Sequence, residues 1–278
     1  MLRPLDQQAG RLTLTELGMS QQACDDMHQL LARPHGILLV TGPTGSGKST
    51  SLYASIMQLN DRSRNIMTVE DPIEYDLDGV GQTQVNPKVD LTFARGLRAI
   101  LRQDPDVVMV GEIRDTETAR MAVQASLTGH LVLTTLHTNT AVGAITRLVD
   151  MGIEPFLLAS SLVGVVAQRL VRVMDPEQCE KIQSDGSILG LSGRSTTEVY
   201  APRRDLGPGQ TGYRGRTGIY EVVKVSEEMR EAIHRQDSEH VLEEIARKES
   251  TSILEDGWYK VTEGVTSIEE VLRVTRST

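Results

Sequence analysis

The sequence predicts an α/β protein with a mainly parallel central sheet, followed by a small, mostly helical C-terminal subdomain. Between residues 36 and 150, short apolar runs alternate with longer helical patterns, which is typical of a doubly wound layer structure. The runs are rich in branched side chains and are bounded by Gly, Pro, Asp or His, which suits strands buried on both faces. Residues 226–278 then show helical apolar spacing that predicts two or three helices.

The first elements are a helix and four strands. Residues 1–35 form an opening segment whose helix begins after Ser20, a good N-cap, and ends near Ala32. The four strand runs are residues 37–40, 66–69, 107–110 and 131–133. Apolar residues recur at helical spacing over residues 93–101, with arginines on the opposite face, so an amphipathic helix is expected there.

The later part of the chain changes in composition. Residues 174–211 are dominated by Gly, Ser, Pro and Arg, which predicts a long loop or insertion. Residues 212–225 indicate a turn and a strand, and 212–278 together are expected to form the C-terminal subdomain. The longest apolar stretch, residues 156–167, is shorter than the roughly 20 residues that cross a bilayer, so no transmembrane segment is predicted.

Composition argues against several partners and cofactors. The 278 residues include 38 acidic and 29 basic side chains, giving a formal charge of −9, and only 3% are aromatic. Such a chain repels polyanions and has few side chains for stacking on bases, so nucleic acid is not the expected partner. The two cysteines, Cys24 and Cys179, are far apart in sequence, so they predict neither a disulfide framework nor a CxxC metal site.

The strongest motif lies directly after the first strand run. Residues 42–49 read GPTGSGKS and lead into a helical pattern, which is the context of a P-loop. Glycines let the backbone curl around phosphates, and the helix N-terminus adds a positive dipole end. The predicted nucleotide-binding residues are Gly42, Pro43, Thr44, Gly45, Ser46, Gly47, Lys48, Ser49 and Thr50. Lys48 would reach the β- and γ-phosphates, and Ser49 would offer its hydroxyl to Mg²⁺; a simple glycine turn is the weaker alternative.

Acidic residues and a histidine follow three other strand runs. Glu112 comes after residues 107–110, where a carboxylate can stand beside the metal and the attacking water. Glu74 belongs to the acidic block 68–74, where it would orient that water, although an acidic turn explains the block equally well. His137 follows the fourth run and could sense the γ-phosphate, but spacing alone favours a structural histidine.

Taken together, these blocks closely resemble the secretion ATPase superfamily, specifically the type II secretion motors and more distantly the type IV pilus motors. The matching blocks are residues 42–50, 68–75, 93–115 and 129–140. The resemblance implies a RecA-like P-loop NTPase core over residues 36–173 that works as a ring hexamer with ATP and Mg²⁺. It also implies catalytic roles for Glu112, Glu74 and His137, with Ser49 and Glu112 at the metal.

The same resemblance implies a biological role. ATP hydrolysis would drive pseudopilus assembly and protein export, with the chain bound to inner-membrane secretion platform proteins at the cytoplasmic face of a Gram-negative-type bacterium. A type IV pilus extension or retraction ATPase is the alternative. A nucleic-acid translocase and a nucleotide-gated scaffold without hydrolysis are further readings, disfavoured by the charge of −9 and by the paired acids Glu74 and Glu112.

Two departures from the family pattern carry expectations of their own. Relatives commonly hold a four-cysteine zinc module where this chain has residues 174–211 with only Cys179, so no zinc is expected and other packing should hold the insertion. Relatives also carry N-terminal domains before the segment that matches residues 2–17, so a missing N-terminal domain is expected. In the family, arginines from that part complete the ATP site, so this chain is expected to bind nucleotide but turn it over slowly.

Overall fold

The computed structural model describes residues 12–184, 186–191, 196–207 and 209–276. The strands are β1 (Gly36–Thr41), β2 (Ile66–Glu70), β3 (Gly81–Gln84), β4 (Val107–Val110), β5 (Leu131–Leu136), β6 (Leu162–Met174), β7 (Cys179–Ser184), β8 (Thr197–Pro202) and β9 (Tyr213–Lys224). The helices are α1 (Gln21–Leu31), α2 (Lys48–Leu59), α3 (Phe93–Ile100), α4 (Thr116–Leu127), α5 (Ala141–Asp150), α6 (Pro155–Ser161), α7 (Glu227–Arg235), α8 (Glu239–Arg247), α9 (Ile253–Thr262) and α10 (Ile268–Thr275).

The central sheet has the strand order β3-β2-β4-β5-β1-β6-β9. The strands from β3 to β6 are parallel, and β9 closes the sheet antiparallel to β6. This arrangement confirms the predicted α/β class with a mainly parallel sheet. Because β1, β2, β4 and β5 point the same way, the loops that follow them meet at one edge of the sheet, where α/β proteins place their ligands.

Helices cover both faces of this sheet, as β1 shows. Ile37 and Leu39 belong to the apolar cluster formed with α3 to α6, whereas Leu38 and Val40 belong to the cluster formed with α1 and α2. All four side chains are at most 1% exposed. Since side chains of a strand alternate between its faces, this double burial accounts for the uninterrupted apolar run in the sequence and gives the loop after β1 a rigid base.

The apolar stretch 156–167 holds the junction between two elements. Helix α6 ends at Ser161 and β6 begins at Leu162, with no glycine or proline between them to mark the change in the sequence. Strand β6 pairs with β9 from Gly164 opposite Lys224 to Met174 opposite Tyr213. The strand expected over 212–225 is β9, which joins the central sheet and covers the edge that β6 would otherwise expose. The division into core and subdomain stays a prediction.

Residues 174–211, expected as a loop, contain the antiparallel pair β7 and β8. The exposed, polar side chains of β7 hid this pairing from a search for apolar runs. Leu189 and Val199 of this segment pack with Trp258, Val261 and Val271 into a small apolar cluster. Within the described ranges, no group of three or more His, Cys, Asp or Glu is placed to hold a metal ion; the absence of zinc stays a prediction.

Several helices begin at side-chain caps. Ser20 accepts a hydrogen bond from the Ala23 amide at the start of α1, in agreement with the predicted N-cap. Ser252 and Glu255 form a reciprocal capping box at the start of α9. Among the residues that the structure describes, none of these helices combines the length and hydropathy needed to span a bilayer.

Candidate active site

The loop between β1 and α2 is shaped by glycines. Gly42, Gly45 and Gly47 have φ angles of 147°, 80° and 89°, which L side chains rarely adopt. A Cβ at Gly42 would lie 2.4 Å from the carbonyl oxygen of Gln168, and one at Gly47 would lie 2.8 Å from its side-chain nitrogen. The loop is therefore pressed against β6, and any side chain larger than that of glycine at these two positions would force the neighbouring atoms to shift.

Lys48, the first residue of α2, folds back over this loop. Its Nζ donates hydrogen bonds to the carbonyl oxygens of Gly42 (2.8 Å) and Pro43 (3.0 Å). Burial lowers the pKa of Lys48 to about 8, although the carboxylate of Glu112 acts in the opposite direction. The ammonium group thus stands inside the mouth of the loop, where a bound anion would favour its charged form.

Gln168 of β6, only 1% exposed, holds the loop from the side of the sheet. Its Nε2 donates to the carbonyl oxygen of Ser46 (2.8 Å), and its Oε1 accepts from the hydroxyl of Ser51 on α2 (2.8 Å). Both ends of the buried amide are thereby satisfied. The sequence reading missed this residue, although a polar side chain ending the apolar stretch 156–167 was a usable signal.

The loop that follows β5 is tied to the same region. The Thr138 amide donates a 3.0 Å hydrogen bond to the hydroxyl of Thr41, the last residue of β1. Arg169, 5% exposed, donates from its guanidinium to the carbonyl oxygens of Asn139 (2.7 Å) and Val274 (3.2 Å). The segment that directly follows His137 is therefore fixed from both β1 and β6.

His137 joins the lysine of the loop to Glu112. Its Nδ1 lies 3.4 Å from Lys48 Nζ, and its Nε2 lies 3.3 Å from a carboxylate oxygen of Glu112. The other oxygen of Glu112 accepts from Arg114. This arrangement suits the tautomer with the proton on Nε2, which donates to Glu112 while Nδ1 accepts from Lys48. Three sequence-predicted residues from three loops therefore form one connected group.

The acidic block separates its carboxylates instead of clustering them. Glu70, at the end of β2, is 3% exposed and accepts hydrogen bonds from Tyr53, Thr68 and Gln82. Asp71 lies 3.7 Å from Arg114. Glu74 is half-buried and lines the open cleft. All three acids line this cleft, but Glu70 is held by three hydrogen-bond donors, whereas Asp71 and Glu74 are more exposed. The mutual repulsion expected from the sequence is thereby relieved.

These groups surround a cleft of about 520 Å³, a volume within the usual range for small-molecule sites. The sequence-predicted residues that line it are Thr44, Gly45, Gly47, Lys48, Ser49, Thr50, Glu74, Glu112 and His137. Gly42, Pro43 and Ser46 form the body of the loop behind it. The hydroxyl of Ser46 is buried and, within the described part of the chain, lacks a hydrogen-bond partner.

The donor set also fits Mg²⁺. Ser49 is exposed at the start of α2, and the Glu112 side chain, 14% exposed, stands at the end of β4. Hydroxyl and carboxylate oxygens are hard ligands of the kind that Mg²⁺ prefers, and this ion usually takes its other ligands from water and phosphate. A site with few protein ligands is therefore sufficient, and the absence of a larger cluster in the described ranges does not argue against it.

Comparison with known proteins places the chain in a family. Residues 1–273 match the model of the family described as "Type II/IV secretion system protein". The chain is 64% identical over 279 residues to "Type II secretion system protein E" of Pseudomonas aeruginosa and 59% identical over 279 residues to "Type II secretion system ATPase E" of Vibrio cholerae. Each alignment covers 99% of this chain and 56% of the relative, so the chain spans about half the length of these relatives.

Solved structures agree with this placement. The pilus retraction motor PilT with bound ADP is 31% identical with a TM-score of 0.71, covering 95% of this chain and 66% of that one. The ATPase DotB of Legionella pneumophila is 25% identical with a TM-score of 0.70, covering 96% of this chain and 66% of that one. The predicted RecA-like fold and the resemblance to secretion ATPases are confirmed by these comparisons.

Proposed function

The chain belongs to the type II/IV secretion system protein family, and from that premise we propose that it is the ATP-hydrolysing part of a type II secretion motor. The observation that carries the proposal is the group Lys48, His137 and Glu112, which joins the phosphate-binding loop to a catalytic carboxylate across 3.4 Å and 3.3 Å. Relatives with 59–64% identity that bear type II secretion names support the same role.

In this proposal each group has a defined task. The backbone amides of residues 44–50 and the ammonium of Lys48 bind the β- and γ-phosphates. Mg²⁺, held by Ser49 and Glu112, would neutralise charge on the phosphate oxygens. Glu112, held by Arg114 and His137, orients a water molecule and draws on its proton, while Glu74, which also lines the cleft, helps to orient that water. His137 contacts both Lys48 and Glu112, so it senses whether the γ-phosphate is present.

We also propose the setting that the relatives suggest. The motor would assemble as a homo-oligomer, a hexameric ring in the full-length family, and would dock on inner-membrane secretion platform proteins at the cytoplasmic face of a Gram-negative-type bacterium. There it would power pseudopilus assembly and protein export. Nucleic acid is not a partner in this proposal, because the net charge of −9 opposes binding of a polyanion.

Slow turnover by this chain alone is part of the proposal. Glu112 is already engaged by Arg114, so that arginine is not free to stabilise charge on a transferring phosphoryl group. An arginine supplied by a neighbouring domain or subunit can raise the rate by roughly 10³-fold or more. Zinc is not required in this proposal, and one equivalent of zinc per chain in chelator-free protein would contradict that part of it.

A pilus extension or retraction motor is the second candidate function. The likeness to PilT with bound ADP, at a TM-score of 0.71 and 31% identity, supports it. Identity to the type II secretion relatives is about twice as high, so the first candidate is better supported. The two can be separated with a full-length motor that carries this chain in place of its own segment. The first candidate predicts that this motor restores secretion but not twitching motility.

Phosphate release measured beside nucleotide affinity tests the proposed chemistry. A hydrolase releases phosphate in a Mg²⁺-dependent manner at ATP concentrations that match its affinity, whereas a nucleotide-gated scaffold binds ATP without turnover at any protein concentration. A filter-binding assay at low salt addresses the translocase alternative, because a translocase would retain DNA or RNA and this chain should not.

A further inference from the structure

Tyr53 links the helix that follows the phosphate-binding loop to the acidic loop, residues 71–77. It lies on α2 one helical turn after Ser49 and is only 1% exposed. Its hydroxyl donates to the carboxylate of Glu70 and accepts a 3.3 Å hydrogen bond from the backbone N–H of Glu74. The hydroxyl oxygen of this α2 residue is thus hydrogen-bonded both to the end of β2 and to the loop that carries Glu74.

Glu70 acts as the hub that keeps this hydroxyl in place. One carboxylate oxygen accepts from Tyr53, and the other accepts from Thr68 Oγ1 (2.5 Å) and Gln82 Nε2 (3.0 Å). Burial together with the Glu70 carboxylate raises the pKa of Tyr53, so the hydroxyl remains a donor throughout the working pH range. With both carboxylate oxygens engaged in this way, Glu70 holds the surrounding side chains in place.

The far end of the acidic loop is anchored differently. Gln82 on β3 accepts a 2.7 Å hydrogen bond from the Leu77 amide and donates to the Tyr75 carbonyl at 3.2 Å. The rings of Tyr75 and Tyr53 meet edge to face, with centroids 4.6 Å apart and planes at 86°. The sheet therefore fixes the loop after Glu74, whereas α2 fixes it at Glu74 itself.

We infer that Tyr53 is a positioning residue for Glu74: its hydroxyl makes the acidic loop follow α2, so that a ligand seated on the phosphate-binding loop also fixes the second carboxylate of the site. The role of Glu74 in this inference rests on the proposed function. The hydrogen-bonded link that Tyr53 makes between α2 and the acidic loop does not. Tyr53 itself acts through Glu74 and needs no contact with the reacting atoms.

Tyr53→Phe is the variant that tests this link, because it removes the hydroxyl and keeps the ring that packs on Tyr75. The matched control is Tyr259→Phe, the same chemical change at a residue that is 54% exposed on α9. Amide hydrogen exchange is measured over residues 71–77 and over α2, with and without Mg-ADP. We expect exchange of the loop to be roughly tenfold faster in Tyr53→Phe, with α2 unchanged, because one anchor of the loop is lost.

Measurements of kcat and KM test whether Tyr53 acts through Glu74. In Tyr53→Phe, kcat for ATP should fall roughly tenfold while KM stays within about twofold, since positioning affects the chemical step and not nucleotide binding. In a Glu74→Ala background the same substitution should have no further effect on kcat. A full additional loss in that background, or an equal rise in KM, would overturn the inference.

Hydrogen exchange decides the matter even without turnover. If the wild-type chain binds Mg-ADP but hydrolyses no ATP, the proposed function fails, while faster loop exchange in Tyr53→Phe still supports the link. Should Tyr53→Phe not fold, Glu70→Gln weakens the bond that fixes the Tyr53 hydroxyl and should loosen the loop in the same direction. Loop exchange equal to wild type in the folded variant, with or without Mg-ADP, would sink the inference.

Discussion

The side-chain amide of Gln168 donates a 2.8 Å hydrogen bond to the carbonyl oxygen of Ser46, so a strand of the sheet holds the phosphate-binding loop in shape. The same amide accepts from Ser51 on α2, which places one buried side chain across the segment that contains Lys48. Loop and helix start are therefore fixed relative to each other before any nucleotide binds, and less ordering remains to be done on binding.

Gln168→Met tests this preorganisation. Methionine keeps the length of the side chain but leaves the Ser46 carbonyl and the Ser51 hydroxyl without their partner, so the Kd for Mg-ADP should rise about tenfold, in keeping with the loss of buried hydrogen bonds. Ser51→Ala removes one of the two bonds and should weaken binding less. Isothermal titration calorimetry measures both; an unchanged Kd in Gln168→Met would show that the loop keeps its shape without this bond.

Nucleotide affinity should fall as the pH rises through about 8. Burial lowers the pKa of Lys48 to about 8 in the free site, whereas bound phosphates favour the ammonium form. Above that pH, binding must take up a proton, so the affinity should drop by up to about tenfold per pH unit. Below about pH 7 the Lys48 contribution should be constant.

Glu112→Gln provides the control for this pH profile. The Glu112 carboxylate raises the pKa of Lys48 against the effect of burial, so its removal should move the break in affinity to lower pH. Fluorescence titrations with Mg-ADP from about pH 6 to 10 measure both profiles. A break at the same pH in both proteins would contradict the assignment to Lys48.

Two of the three glycines of the loop should differ in their tolerance of alanine. Gly45 and Gly47 have similar positive φ angles of 80° and 89°, but a Cβ at Gly45 meets no atom within 4 Å, whereas one at Gly47 lies 2.8 Å from Gln168 Nε2. Gly45→Ala should lower stability by about 1 kcal/mol through backbone strain, and Gly47→Ala by clearly more. Thermal unfolding of the nucleotide-free proteins measures the difference; equal losses would mean that Gln168 yields to the new methyl group.

Glu270 should make the fold sensitive to acid. Its side chain is 1% exposed; burial opposes its ionisation, but hydrogen bonds from Arg273 and Arg172 outweigh this and lower its pKa to about 2. Because the folded pKa lies below the ordinary value of 4.5, the stabilisation is fully present above about pH 5 and is lost as the pH falls from there towards 2.

Glu270→Gln should therefore reduce stability at pH 7 by about 2 kcal/mol and flatten its decline between about pH 5 and 2. The exposed neighbour Glu269 supplies the control, since Glu269→Gln should leave both quantities near wild type. Urea denaturation across this pH range gives the free energy of unfolding. An unchanged acid slope in Glu270→Gln would mean that other carboxylates determine it.

The strands that could be predicted from the sequence are those whose side chains are mostly apolar. Strands β1, β2, β4 and β5 lie in the middle of the sheet and are buried on both faces, so each leaves a continuous apolar run. Strand β3 reads Gly-Gln-Thr-Gln at the sheet edge and leaves none. Strand β6 was not predicted because α6 leads directly into it, and a short apolar run fits either a helix or a strand.

The site shows the same division. The loop between β1 and α2 left a recognisable pattern because its glycines have a backbone reason: three of them adopt positive φ angles. Its role in binding phosphate stays a prediction. The contacts between loops could not be recognised in the sequence. Gln168 is 122 residues from Ser46 in sequence, and the residues around Tyr53 form no motif that predicts its contacts. Glu70 and Glu74 looked alike in the sequence; both line the cleft in the fold, but Glu70 is buried and Glu74 only half-buried.

The most direct test of the account is Mg²⁺-dependent ATP hydrolysis as a function of protein concentration, for wild type and Glu112→Gln, with Mg-ATP affinity measured in parallel. A motor whose sites are completed between subunits should gain activity faster than linearly with concentration, and Glu112→Gln should abolish hydrolysis while it still binds Mg-ATP. Tight binding with no turnover at any concentration, or hydrolysis that persists in Glu112→Gln, would contradict the role given to the Lys48, His137 and Glu112 group.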